Sequence, residues 1–544
     1  MELVEIRDLD GPNLFALEPV IKLEVRLEDG EQLGVARQQY IAEHTNHYVS
    51  SDPVQALSGV VVALHKRLKL DQPLPSIHRM DEPGHVSVSF PWSHRAKARA
   101  IARIAFELCC GEQIRRLDEK IEDTIVAESD EDDPDEPTWI RDTERRIPSA
   151  AITGTNGKTT TTRFLAHILR HTGKRVGWSS SSGVYISGKQ VIDGDYTGHG
   201  GARRVITDDS VDCAVLETAR GGILLRGLGY ESNDVGVMLN VTPDHLDLHG
   251  VKTVETLAQV KATVVRTTRS DGLVVLNADD PLVLAQMPDV RAPVLLISQN
   301  PLNPAIEQHA TNGGQCLVTD EGVITLIRSG ARVPVIPLVE VPLTYGGSAR
   351  HMVENSLAAC GAAIGMGVSV SEIAEAMRSF HPDREHNAGR LNVFELGDVT
   401  VVVDFAHNES GLTFLIDFAN HLFPDASRVT AIIGTAGDRQ DSVFVGLGRI
   451  AGERADRIVI KWNPTYLRGR SAQETVTLIR SGLEQAGAMD RLDGEYEGEF
   501  AAVMSTVERT VHGEVVVAMC VEDYLQIMDE LVRRGAHERK PADA

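Results

Sequence analysis

Residues 147–171 join a short apolar run to an amphipathic one through a turn with two glycines and a lysine, IPSAAITGTNGKTTTTRFLAHILRH. Residues 147–153 suit a buried strand. From Thr159 a helix is expected whose apolar side takes Phe164, Leu165, Ile168 and Leu169. Gly154, Asn156 and Gly157 permit the tight turn between them. Backbone N–H groups at such a helix start bind phosphate oxygens, Lys158 adds a point charge, and Thr159 offers a hydroxyl to Mg²⁺. Ile152 stands where the commonest spacing of this motif has its first glycine. An ordinary strand-to-helix turn is the plain alternative. Glycine, lysine and threonine all falling where phosphate chemistry needs them favours a nucleotide cradle of Gly154, Thr155, Asn156, Gly157, Lys158, Thr159 and Thr160.

At 544 residues the chain exceeds a single core, and three domains are expected. The net charge of −24 argues against nucleic acid or an anionic membrane as the main partner. The first residues, MELVEIRDLDGP, lack a signal pattern and no apolar run is long enough to span a bilayer, so a cytoplasmic protein is expected. The six cysteines are scattered without a CxxC pair, which predicts reduced core thiols rather than disulfides or zinc.

The segment ESDEDDPDEP at 128–137 holds seven acids in its first nine residues and reads as a solvated linker. The boundaries drawn from it are an N-terminal α/β domain at 1–126, a linker at 127–145, a central ATP-binding domain at 146–346 and a C-terminal domain at 347–544. In the first, Val20–Leu27 and Val86–Phe90 read as strands. Helices are expected from Asp52-Pro53 to about Leu68 and from about His94 to Cys110. In the second, the apolar runs 211–216, 235–239 and 273–276 suit a mostly parallel sheet buried on both faces. Residues 315–340 alternate around an Asp-Glu-Gly turn and read as a small antiparallel appendage. Strands at 399–403, 429–433, 457–460 and 514–518 predict a second, Rossmann-like αβ block. The fold class expected is therefore multidomain α/β with a P-loop central domain.

Ligands of parallel sheets gather at the carboxyl ends of strands, where Gly154, Glu217, Asn240 and Asn277 sit. Glu217 follows the run DCAVL and would aim its carboxylate at the loop of Lys158; a solvated strand-end acid is the plain alternative. NVTPDHLDLH at 240–249 packs Asp244, His245, Asp247 and His249 after another strand, a spacing that favours metal or catalytic work. Lys261, on its own, reads as a surface lysine. In the last block, DFAHN at 404–408, GTAGDR at 434–439 and Lys461 close three strands, and Arg390 lies just ahead. Such an order implies a site between two facing sheets, with Asp404 accepting from a ribose hydroxyl and Arg390 neutralising phosphate charge.

These segments resemble the Mur ligase superfamily of ATP-dependent amide ligases. GTNGKT, the strand-end glutamate, the 240–249 cluster, NADD at 277–280 and the Asp-aromatic-Ala-His turn carry the likeness. ETARGGIL at 217–224, DYTG at 195–198, AGRLNVFE at 388–395 and LRGR at 467–470 are similar to the cyanophycin synthetase branch, and GPNLF at 11–15 looks like the opening of its N-terminal domain. That branch carries an ATP-grasp domain where the acidic linker stands here, which implies a single-step ligase. The resemblance implies ATP and Mg²⁺, with Lys158 and Thr159 on phosphate and metal. Glu217 and His245 follow as second-metal ligands, Asn277 and Asn355 as neighbours of adenine, and Arg390 and Asp404 as contacts from the C-terminal domain.

Lys261 falls at the lysine that many Mur ligases carbamylate, at a spacing from Asp244 that fits the cyanophycin branch and argues against carbamylation here. Ser180–Gly183 replaces a threonine-rich metal-holding segment, leaving Ser182 as a candidate hydroxyl ligand. His199, Met352, Glu409 and Asn463-Pro464 also depart from the family pattern, which points to a different acceptor or amine.

The implied reaction activates a carboxylate as an acyl phosphate and joins it to an amino acid or other amine, releasing ADP and phosphate. Lys158, Glu217, His245, Lys261 and Arg390 are its candidate catalytic residues, and Asp247, His249 and His407 are candidate bases. Two rivals stand beside it: a non-catalytic, regulatory nucleotide-binding protein, and a simple phosphotransferase. His44, His47 and Trp92 are candidates for a site in the N-terminal domain, against a plain packing or dimerising role, and a homo-oligomer stays open.

Overall fold

The run before the glycine turn is an inner strand of a large sheet, and the run after it a helix packed on that sheet, in a computed structural model, which describes residues 1–130, 134–244 and 246–539. Among these residues the strands form three sheets.

The first is antiparallel, in the order β1 (Glu2–Leu9), β2 (Val20–Arg26), β4 (His85–Pro91), β3 (Ser76–Arg79). Helices Pro53–Arg67 and Arg95–Cys110 supply its core. The second presents Ala98, Ile101, Ala102, Ala105 and Leu108 on one face, at the spacing of an amphipathic helix. Asp52 starts the first by accepting from the N–H groups of Val54 and Gln55, and Pro53 fits the first turn. The acidic run is not wholly solvated: Glu128 meets Arg99 and Arg103 at 2.7 and 2.6 Å, and the Asp135 carboxylate accepts from the Ala96 N–H. Trp92 is buried with its indole N–H on the Leu9 carbonyl, whereas His44 lies 4.1 Å from Tyr40, tilted at 34°, at the end of helix Val35–Thr45. The hairpin β3–β4 reaches the second unit through Asp81, which accepts from the N–H groups of Lys252 and Thr253 at the start of helix Val254–Arg266.

The second sheet contains β5 (Ser149–Thr153), β6 (Val176–Ser180), β7 (Gly183–Ile186), β8 (Lys189–Ile192), β9 (Cys213–Glu217), β10 (Asn233–Met238), β11 (Thr268–Asn277), β12 (Val294–Ser298), β13 (Gln315–Asp320), β14 (Val323–Arg328) and β15 (Ala331–Pro337). Its spatial order is 15-14-13-12-11-10-5-9-6-7-8. Strands β6, β9, β5, β10, β11, β12 and β13 run parallel, and antiparallel hairpins finish both edges. Residues 315–340 are therefore not a separate appendage. Cys316, Leu317 and Val318 are fully buried, so β13 pairs with β12 and continues the sheet. The chain leaves β5 for one side and returns to β10 on the other. Such a reversal opens a crevice beyond the carboxyl end of β5, where the glycine turn lies.

Helices Arg350–Gly365 and Val370–Arg378 pack on this sheet and on the helix Lys158–His171. Gly361 allows the approach: a Cβ there would lie 3.2 Å from Leu295 and Val275.

The third sheet holds β16 (Asn392–Leu396), β17 (Val399–Asp404), β18 (Arg428–Ile433), β19 (Arg457–Trp462), β20 (Leu492–Glu497), β21 (Glu514–Met519) and β22 (His537–Glu538), in the order 20-19-18-21-17-16-22. Five strands are parallel, with β16 and β22 as an antiparallel edge. One apolar cluster runs from the helix Lys158–His171 into this unit, with Phe164 stacked on Phe380 at 4.5 Å. The two large sheets therefore share a core, and their strand ends face a common cleft.

Candidate active site

A cavity of about 220 Å³ fills that cleft and is lined by residues 155–160, Ser181, Glu217, Asn240, Glu354, Arg390 and Asp404. The floor is the glycine turn. Gly157 has φ +87°, and a Cβ there would come within 2.1 Å of the Asn355 side-chain oxygen, so a glycine is required on both counts. No side chain caps the helix Lys158–His171, and its first turn lines the cavity. An uncapped helix start presents orphan N–H donors to an anion.

Lys158 folds back onto the turn, donating to the carbonyls of Gly154 at 3.1 Å and Thr155 at 2.8 Å. Burial lowers its pKa, opposed by the carboxylates of Glu217 and Asp244. Glu217 accepts from the Thr159 hydroxyl at 3.0 Å and the Ser181 N–H at 3.2 Å, and burial raises its pKa against Lys158 and Arg390. The hydroxyls of Thr159 and Ser181 lie 3.1 Å apart. This cluster of hydroxyl and carboxylate oxygens suits a hard divalent cation, whose remaining positions phosphate and water would complete.

The third sheet contributes from above. The Arg390 guanidinium lies 4.0 Å over the Phe405 ring and donates to the Thr159 hydroxyl at 3.4 Å. Burial and the nearby Arg163 charge pull its pKa down to about 10, against Asp404. Asp404 is fixed by the Leu391 N–H at 2.7 Å, and burial raises its pKa. Asn408 donates to the Asn156 side chain at 3.1 Å, and Arg163 to the Ala388 carbonyl at 3.0 Å, so both loops are tied across the cleft. At the apolar end, His351 stacks on Phe414 at 5.5 Å and 21°.

Two family descriptions match the chain: the Mur ligase middle domain over residues 152–363, and the Mur ligase glutamate ligase domain over 389–520. The chain belongs to the Mur ligase family. It is 43% identical over 343 residues to cyanophycin synthetase of Synechocystis, a match covering 63% of this chain and 39% of that one. It is 31% identical over 229 residues to the UDP-N-acetylmuramoylalanine–D-glutamate ligase of Desulfitobacterium hafniense, covering 42% of this chain and 43% of that one. The chain thus spans about two-fifths of the length of these curated relatives. Among solved structures, E. coli FolC in complex with ADP aligns with a TM-score of 0.52 at 19% identity, covering 71% of this chain and 90% of that one.

Within this Mur ligase fold, Gly154 to Thr160, Glu217, Asn355, Arg390 and Asp404 come together as the sequence order suggests. His245 lies outside the described residues. Ser181, not Ser182, stands beside Thr159 and Glu217. Successive residues leaving a strand alternate in direction, so Ser182 turns with Ser180 to the other side, 3.0 Å from Arg163. Asn277 is buried but does not line the cavity. It ends β11, two strands from β5, and its side chain accepts from the Asp279 N–H. Lys261 is no surface lysine: it is 4% exposed and donates to the Gly154 carbonyl at 2.7 Å. Burial and Lys158 push its pKa well down. Lys461 sits apart from the cavity in a buried ion pair with Glu499 at 2.5 Å. Of the three candidate bases, His407 lines the cavity, 3.7 Å from Asp244; Asp247 contacts Gln440, and His249 borders Arg220.

Sequence reasoning missed Glu354 and Arg163. Glu354 is the one charged residue of a largely buried helical stretch, MVENSLAAC, which is a legible signal of a functional carboxyl. It accepts from the Asn240 side chain at 2.7 Å, and burial, with Asp280 and Asp279 adding, pushes its pKa up to about 7. The unfolded chain sheds this proton near 4.5 while the folded protein keeps it, so stability falls as pH rises between these values. Glu354→Gln is expected to remove up to about 3 kcal/mol of that decline. Urea unfolding at pH 5 and pH 7.5 checks this; equal declines in both proteins would refute the assignment.

Proposed function

We propose that this chain is an ATP-dependent amide ligase that activates a carboxylate as an acyl phosphate and joins it to an amine, releasing ADP and phosphate. The observation that carries the reading is the convergence of Lys158, Thr159, Glu217 and Arg390 from two sheets on one cavity. Its relatives' names, cyanophycin synthetase and D-glutamate ligase among them, support the reaction class.

In this reading the triphosphate lies along the glycine turn, its oxygens on the N–H groups of residues 157–160. The purine fits the apolar end by His351 and Phe414, with Asn355 at its edge. Lys158 leaves the carbonyls of its own loop for the β- and γ-phosphates. Mg²⁺, held by Thr159 and Glu217 with Ser181 beside them, would spread the charge of the phosphate oxygens. The acceptor carboxylate oxygen attacks the γ-phosphorus in line, the bond to the bridging oxygen breaks, and ADP leaves. Arg390, over the Phe405 ring, meets the charge that builds on the transferred group. The amine nitrogen then attacks the acyl carbon, the carbon–oxygen bond to phosphate breaks, and a base takes the surplus proton. In this reading His407, which lines the cavity, takes that role. Lys261 holds the Gly154 carbonyl and so steadies the turn. Asp404, at its side of the cleft, accepts from a ribose hydroxyl.

A screen of amino acids against carboxylate acceptors, reading ADP release with mass spectrometry of products, tests the reading. ADP release that requires both an acceptor and an amine is expected. Release that needs an acceptor but no amine would mark a phosphotransferase, and nucleotide binding without turnover would mark a regulator. Among the described residues no helix is long and apolar enough to cross a membrane.

A further inference from the structure

A second cleft, of about 480 Å³, opens further along the helix Lys158–His171 and shares no lining residue with the nucleotide cavity. One face of that helix forms its floor: Arg163, His167, Arg170 and His171 follow Thr159 at helical spacing. The segment carrying Phe380 and Arg384 makes one wall. Trp178 and Tyr185, stacked at 4.8 Å and 2°, make the other.

The cleft gathers positive charge in a chain whose net charge is −24. Arg163 is half-buried, and its hydrogen bonds run to neutral oxygens, those of Ala388 and Ser182. Among the described residues neither it nor Arg170 makes an ion pair. Of the remaining charges, Arg384 is paired with Asp529 and His386 with Asp383, His171 lies 3.9 Å from Glu375, and Glu385 is exposed. Basic groups in a last helical turn ordinarily complement the helix dipole, which accounts for Arg170 and His171. It does not account for Arg163, two turns further in. Independent of the arginines, Trp178 is 8% exposed, and its indole N–H has no hydrogen-bond partner among the described residues. A buried donor left unpaired is costly, and a polar ligand or water in the adjoining cleft would relieve it.

We propose that this cleft is a second binding site, for a small anion carrying two or more carboxylate or phosphate groups. Arg163 and Arg170 supply the charge-assisted hydrogen bonds, and the Trp178–Tyr185 pair closes the wall. Desolvation, with the charges of His386, Arg170 and His171 adding, pulls the pKa of half-buried His167 down to about 4. Arg163 also connects the site to the nucleotide cavity. Its charge weighs on Arg390, and its two hydrogen bonds hold the loops that carry Ser181 and Arg390.

Citrate and pyrophosphate are the two probes, titrated calorimetrically into the full-length protein saturated with ADP, and into Arg170→Ser alongside it. At least one probe is expected to bind with Kd below about 1 mM, and Arg170→Ser to weaken it about tenfold. The better probe decides between a carboxylate and a phosphate ligand. ADP affinity of Arg170→Ser within twofold of wild type shows that its fold is intact. Should ADP itself fail to bind, the proposed function falls, while the Arg170-dependent heat still reports this cleft. No saturable binding of either probe, or binding that Arg170→Ser leaves unchanged, overturns the site.

Discussion

Lys158→Ala is expected to slow amine-dependent ADP release by about a thousandfold, with the fold retained. Lys158 is the cation of the glycine turn, and burial lowers its pKa against the pull of Glu217 and Asp244. In the proposed reaction the ammonium would exchange two backbone carbonyls for phosphate oxygens in a cleft that buries it. Charge contacts there count for several kcal/mol more than in water. Removing it leaves the carbonyls of Gly154 and Thr155 without this donor but empties no apolar core. The melting temperature is therefore expected to move by only a few degrees. Steady-state ADP release with saturating acceptor and amine checks this, and a variant within tenfold of wild type would remove the central role given to Lys158.

Arg390→Lys is expected to lower turnover about a hundredfold while changing the apparent affinity for ATP much less. The guanidinium lies 4.0 Å over the Phe405 ring and reaches Thr159 from the third sheet. A lysine keeps the charge but loses the ring contact and the fork that aims it. If Arg390 acts on charge that develops during transfer, the loss falls on kcat. If it only helps to hold nucleotide, the loss falls on KM instead. An unchanged kcat with a raised KM would reassign the residue to binding.

Much of the site was legible because its parts are local. A strand followed by Gly154, Gly157 and an amphipathic helix has few other solutions, since glycine alone tolerates the φ of +87° and the 2.1 Å approach at residue 157. Glu217 was legible for the same reason, as an acid that directly ends an apolar strand. Asn277 shows the limit. It too ends a parallel strand, but strand order sets β11 beyond β10, and a strand-end signal carries no information on order. Lys261 shows another. The helix Val254–Arg266 buries Leu257, Ala258, Lys261 and Val264 on one face, and a lysine there looks like an ordinary exposed one until its Gly154 partner is known.

By itself the sequence determined the alternation of strands and helices, the glycine turn at 154–160 and the resemblance to the Mur ligase family, because backbone preference and side-chain periodicity act over a few residues. Tertiary structure decided that Ser181 rather than Ser182 faces Glu217, that residues 350–378 pack on the central sheet, and that Arg163 and Arg390 come near enough to feel one another's charge. Those outcomes depend on which strands are neighbours and how two sheets share one core. Such contacts join residues from 36 to 231 positions apart, as Ser181–Glu217 and Arg390–Thr159 do, and no local pattern encodes them.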